Sequence, residues 1–170
     1  MSETTSNPAA PADALAGVTV RSLIIPLSGT LLVLPNTAVA EVSDFKSPQP
    51  IADAPGWLLG MMLWRGRSIP LLAFEPLLGR SAGAGGVHAR AVVCNTLNGN
   101  AVLPFIAILA QGIPRLQELK LDTVEVVEAQ DLEQDTAMVA ARLMVAGREG
   151  VVPNLDALER QLLQLGVRVG

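Results

Sequence analysis

Gly60-Met61-Met62-Leu63-Trp64-Arg65-Gly66-Arg67-Ser68-Ile69-Pro70-Leu71-Leu72 is the stretch whose reading decides the fold. Two apolar runs flank a short Arg-Gly-Arg-Ser hinge. A glycine-bearing gap between apolar runs predicts a β-hairpin. Gly66 permits the turn, and Arg65 holds a charge at the rim of the sheet. There it meets a partner or ties down its own turn by bonding backbone carbonyls; the sequence leaves both open. Alternation puts Met61 and Leu63 on one face, Met62 and Trp64 on the other. One set fills a core. The other has the chemistry of an adaptable docking surface, since Met and Trp suit interfaces. Burial of both sets is the simpler account.

Working outward, Leu23 to Leu27 and Leu31 to Leu34 flank Ser28-Gly29-Thr30 and predict a second hairpin. Pro26 marks an edge or bulge in the first of these strands. Thr37 to Asp44 predicts a strand, and Pro48, Pro50 and Pro55 stiffen the connector that follows. Glu75 to Leu78 reads as a helical turn stopped by Gly79. Residues 79–87 form a Gly-rich loop. Ala91 to Thr96 and Ala101 to Ile108 flank Asn98-Gly99, a strong hairpin signal. Thr123 to Glu128 and Ala137 to Ala146 add strands, and Arg148-Glu149-Gly150 turns the chain into Val151-Val152-Pro153. Asn154 is a candidate N-cap for a helix whose apolar face is Leu155, Leu158, Leu162 and Leu165. Many short strands and one closing helix predict an all-β fold. Residues 1–16, rich in Ser, Thr, Pro and Ala, are expected to be a disordered tail that contributes little to folding, with one domain over 17–170.

Composition narrows the function. Half of the 170 residues are apolar and 16% are charged, which is too apolar for a disordered chain. Such an excess predicts a large core and apolar surface kept for a partner. The net charge is −4, and between Glu118 and Asp135 seven acids face one base, Lys120. That stretch reads as a solvated loop and strand margin. Nucleic acid is not expected as a partner, because phosphate binding needs a basic face and only five aromatic residues are present. The longest uncharged stretch, Ala91 to Pro114, is interrupted by polar residues and reads as two strands, so no membrane insertion is expected. No secretory leader is expected before Arg21. A lone cysteine, Cys94, excludes an intrachain disulfide and fits a reducing cytoplasm.

Catalytic chemistry finds no support. His88 is the only histidine and has no neighbouring triad pattern. One His and one Cys do not make a typical structural zinc site, so neither metal nor cofactor is expected. The Gly-rich loop lacks Gly-Lys-Ser/Thr, and no nucleophile elbow or dinucleotide fingerprint occurs. An enzyme is therefore the least supported class. A small apolar-ligand-binding β-barrel is permitted by the apolar excess, with few polar anchors inside the predicted strands.

The ordered motifs resemble the CheW-like coupling domains of bacterial chemosensory systems. Gly60, Arg65, Gly66, Ile69, Pro70 and Leu71 match that family's glycine, Arg-Gly and apolar-Pro-apolar signature. Val39-Ala40-Glu41-Val42 is similar to its Val-x-Glu strand, Pro48 to Pro55 to its connector, and Asn154 to Leu158 to its closing Leu-Asp and helix. Leu34-Pro35-Asn36, Trp57 to Gly60, Trp64-Arg65, Phe74-Glu75 and Gln111 to Pro114 resemble the ChpC-type proteins of pilus-linked systems. The resemblance implies two small five-stranded β-barrels packed together with exchanged segments and a short C-terminal helix. It also implies a non-enzymatic cytoplasmic adaptor, recruited to membrane-bound receptor arrays. Its partners would be a chemoreceptor tip, a CheA-type histidine kinase and other CheW-like proteins. The implied interface residues are Arg65, Gly66, Trp64, Met62, Val39 and Glu41. Three positions depart from the family pattern: Ala73 stands for Asp, Ala110-Gln111-Gly112-Ile113 for Val-Asp-x-Val, and Trp64 for a common Leu.

Overall fold

The computed structural model describes residues 15–127 and 137–170. The expected tail lies outside these residues up to position 14, as does the end of the acidic stretch, from position 128 on. The strands are β1 (Thr19–Pro26), β2 (Leu31–Pro35), β3 (Val39–Asp44), β4 (Leu58–Trp64), β5 (Arg67–Leu72), β6 (Arg90–Asn95), β7 (Phe105–Ala110), β8 (Arg115–Lys120), β9 (Glu125–Val126), β10 (Val139–Val145) and β11 (Arg148–Pro153). The helix α1 (Leu155–Gln164) follows.

Two sheets result. One has the order β8-β1-β2-β11-β10-β9, the other β3-β6-β7-β5-β4. The second is a continuous stretch of chain set between β2 and β8 of the first. Each sheet contains one parallel pair, β2 with β11 and β5 with β7, and the remaining pairs are antiparallel. The all-β architecture of two subdomains and a closing helix is as the resemblance implies. One sheet carries a sixth strand, β9, only two residues long.

The largest core lies where both sheets and α1 meet. Ile25, Leu32 and Leu34 of the first sheet join Leu72, Val92 and Ile108 of the second and Leu158 and Leu162 of the helix. Each sheet also buries its opposite face. Met62, Trp64, Ile69, Leu71 and Val93 form one of these smaller cores; Ile24, Val33, Leu119 and Leu143 belong to the other. Strands β6 and β7 therefore read as nearly unbroken apolar runs, since both of their faces are covered.

Local chemistry accounts for most element ends. Asn154 Oδ1 accepts from the Ala157 N–H at 3.0 Å and starts α1. Gly79 ends the 3-10 turn Glu75–Leu78 with φ 71°. Pro26 closes β1 beyond the last β8 partner, Ile24, so its missing N–H interrupts no ladder there.

Three expectations need correction. Asn98-Gly99 does not make a tight hairpin, because β6 and β7 are joined across residues 96–104. The Asn98 side chain instead donates to Asp156 at 2.8 Å and to Glu159 at 3.1 Å, tying this loop to α1. The turn into β11 is Ala146-Gly147, with φ of 47° and 75°, and not Arg148 to Gly150. Residues 115–120, which carried no strand expectation, form β8.

Candidate protein-interaction site

The hairpin of β4 and β5 turns on two residues. Trp64 pairs with Arg67, leaving Arg65 and Gly66 at φ 47° and 76°. Two consecutive positive φ values are the mark of a type I′ turn, whose twist matches that of the strands it joins. Gly66 accepts this without cost. Arg65 does not, since a side chain in the left-handed region costs of order 1 kcal/mol.

Glu41 faces this turn from β3. A register shift between Val39 and Glu41 places a bulge there, and bulges re-aim the side chains beside them. Glu41 Oε2 lies 2.6 Å from Arg65 Nη2. The contact is close but misses hydrogen-bond geometry, and the oxygen is otherwise buried without a donor among the described residues. The Arg65 side chain remains 71% exposed, so it stays accessible to a partner.

Aromatic rings support the same corner. Arg65 Cζ stands 5.4 Å from the Trp64 ring centroid, and Arg67 Cζ stands 5.9 Å from that of Phe105. The two rings meet edge to face at 4.9 Å. Trp64 is thus a buried platform under Arg65, with its Nε1 left without an acceptor among the described residues.

The six candidate positions divide accordingly. Arg65, Gly66 and Glu41 come together at one corner, and Trp64 lies directly beneath it. Met62, at 1% exposure, fills the second sheet's own core and offers no surface for docking. Val39 is half-buried and packs on the core between the sheets. The alternation along β4 is real, but its outward apolar member is Leu63, 61% exposed beside the turn. The sequence signal for Leu63 was its parity with Met61; Met61 instead packs against the core between the sheets, where the connector bridges it.

The reactive residues are not assembled for catalysis. His88 is exposed just after the Gly-rich loop, while Cys94 is buried in β6 with its thiol pushed up to about 12 by desolvation. No group of three or more metal-ligating side chains occurs among the described residues. Nor is any described helix long and apolar enough to cross a membrane.

Comparison with known proteins agrees with this architecture. A search of curated proteins finds no match. Among solved structures, the scaffolding protein TtCheW from Thermoanaerobacter tengcongensis superposes with a TM-score of 0.69 at 16% identity, covering 91% of this chain and 93% of its own. The CheW-like domain profile matches residues 21–161. The chain belongs to the CheW-like domain family, whose members are non-enzymatic scaffolds.

Proposed function

We propose that this protein couples the cytoplasmic tip of a chemoreceptor to a CheA-type histidine kinase. The observation that carries the reading is Arg65, held in a strained backbone conformation beside Glu41 with its side chain left largely in water. Strain retained at an exposed turn is a marker of a functional site. A planar cation aimed outward over an aromatic platform suits a partner carboxylate or carbonyl. Leu63 adds exposed apolar surface next to it. Arg65, Gly66 and Glu41 supply the contact itself, while Trp64, Met62 and Val39 hold its frame.

Coupling then works by differential contact. A receptor state that changes how this rigid corner is engaged changes how the kinase is held. The protein acts in the cytoplasm at receptor arrays, alongside other CheW-like proteins. Its ChpC-like motifs point to a type IV pilus system and twitching motility. The departures at Ala73 and at Ala110 to Ile113 favour an auxiliary coupler over the core one.

Reconstitution tests this. Receptor-tip fragments, kinase and this protein are mixed, and kinase autophosphorylation is followed with and without each component. Receptor control of the kinase is expected only with the protein present, and Arg65→Ala is expected to abolish it. Binding to neither receptor nor kinase would remove the proposal.

A further inference from the structure

Residues of the six-stranded sheet, together with His88 and Gln111 to Ile113, line a cleft of about 690 Å³. Ile24, Leu31 and Val145 form its floor, and the same side chains belong to that sheet's own core. Arg115, Arg148 and His88 line its rim. Among the described residues no acidic side chain lines it, and neither arginine has an ion pair. Arg115 and Arg148 give the cleft a positively charged lining, which favours an anion. This clustering occurs in a chain whose net charge is −4. It is therefore a local feature and not a reflection of a basic protein.

The wall is preformed. Gln111 Oε1 accepts from the Gly85 N–H at 3.2 Å, which fastens the loop carrying His88. A Cβ on Gly83 would lie 2.1 Å from the Gln111 carboxamide carbon, so the loop fits this side chain closely. The Gln111 backbone N–H in turn donates to Pro26 at 2.8 Å. Gln111 Nε2 is a buried donor without an acceptor among the described residues.

We propose that this cleft binds a small organic carboxylate carrying an apolar body. The carboxylate sits between Arg115 and Arg148, whose planar forks match its two oxygens. The hydrocarbon part lies on Ile24, Leu31 and Val145. The volume falls in the range of small-molecule sites, about 300–1,000 Å³, and the pairing of an apolar floor with a few convergent polar groups is their usual composition. The site lies on the opposite sheet from Arg65. It stands whether or not the coupling role does.

Octanoate and 1-octanol, both at millimolar concentration, are the probes. Calorimetry and amide chemical shifts are recorded on the full chain, on Arg115→Gln/Arg148→Gln and on Arg168→Gln, an exposed-charge control outside the cleft lining. Octanoate is expected to bind saturably, one molecule per chain, with shifts centred on Gly112, Arg115, Val145 and Arg148. Octanol and the double variant are each expected to show binding weaker by about tenfold or more, with an unchanged urea midpoint. Equal binding of octanol, no saturable binding of octanoate, or full affinity in the double variant would each overturn the proposal. So would preferential binding of an acetylated, amidated Glu-Leu-Glu peptide, which would assign the cleft to an acidic segment of a protein.

Discussion

A Cβ placed on Gly60 would lie 2.1 Å from the carbonyl oxygen of Gln49 and 2.7 Å from its carbon. Gln49 sits in the Pro-rich connector, and it exchanges both backbone hydrogen bonds with Met61 at 2.8 Å each. The connector thus covers the outer edge of β4 and spares it an exposed row of peptide groups. It approaches this closely only because residue 60 has no side chain and takes φ 139°, next to a bulge between Leu58 and Gly60.

Gly60→Ala is therefore expected to cost about 2–4 kcal/mol, since backbone must move and a left-handed φ must hold a side chain. Gly66→Ala meets open space and should cost only about 1 kcal/mol from the backbone conformation. Urea melts of both variants check the difference. Equal losses would mean that the Gln49 contact relaxes freely.

Arg65 separates into a backbone role and a charge role. Asn tolerates positive φ and is favoured before Gly in a type I′ turn. Arg65→Asn should leave stability unchanged or raise it by about 0.5 kcal/mol, because an exposed ion pair contributes ~0–1 kcal/mol and the turn improves. The same variant should lose about 2 kcal/mol of receptor or kinase binding, roughly thirtyfold. Calorimetric titrations and melts on one preparation would show both. A variant that binds normally but unfolds more easily would make Arg65 a clamp for Glu41.

Much of this was legible because it is local. The β1–β2 and β4–β5 hairpins, the stop at Gly79 and the Asn154 cap all depend on residues within a few positions of each other. The parallel pairing of β2 with β11 and β5 with β7 has no such signature, and the family resemblance supplied the architecture in its place. β8 escaped notice because Arg115 to Lys120 bury one side chain, Leu119, which leaves no alternation to read. Asn98-Gly99 carried the correct dihedral preference, with Gly99 at φ 59°, but the asparagine amide is used by α1 across 58 residues. The partnership of Arg65 with Glu41 joins the end of β4 to β3, the two extremes of the sheet order, and no local pattern announces it.

Trp64 should prove a matter of packing more than of polarity. Its indole Nε1 is buried without an acceptor among the described residues, and leaving such a donor unmet costs about 1–3 kcal/mol. Trp64→Phe removes that donor while keeping an aromatic surface against Phe105 and Arg65. Its net loss should be about 1 kcal/mol or less. Trp64→Ala empties the platform and should cost about 3–5 kcal/mol. Thermal melts of the two variants check the ordering. A Phe variant as unstable as the Ala variant would show that the indole is engaged in a contact only the larger ring makes.

Cys94 sets an alkaline limit. Its thiol, fully buried in β6, is pushed up by desolvation from about 9 to about 12. Between those values the unfolded chain releases the proton while the folded chain keeps it, so the unfolded state binds fewer protons and stability falls as pH rises. The contribution is fully present below pH 9. It declines by about 1.4 kcal/mol per pH unit above that, until the folded thiol also ionises. Cys94→Ala should cost about 1 kcal/mol at pH 7 from the lost volume. Between pH 9 and 11 its stability should then fall less steeply than the wild type's, and the two curves should converge or cross. Urea melts at pH 7, 9, 10 and 11 measure the difference, in which the titration of every other group cancels. The same burial predicts that iodoacetamide at pH 8 modifies the thiol only after unfolding. Parallel pH curves, or rapid labelling of the folded protein, would mean that β6 opens locally to water.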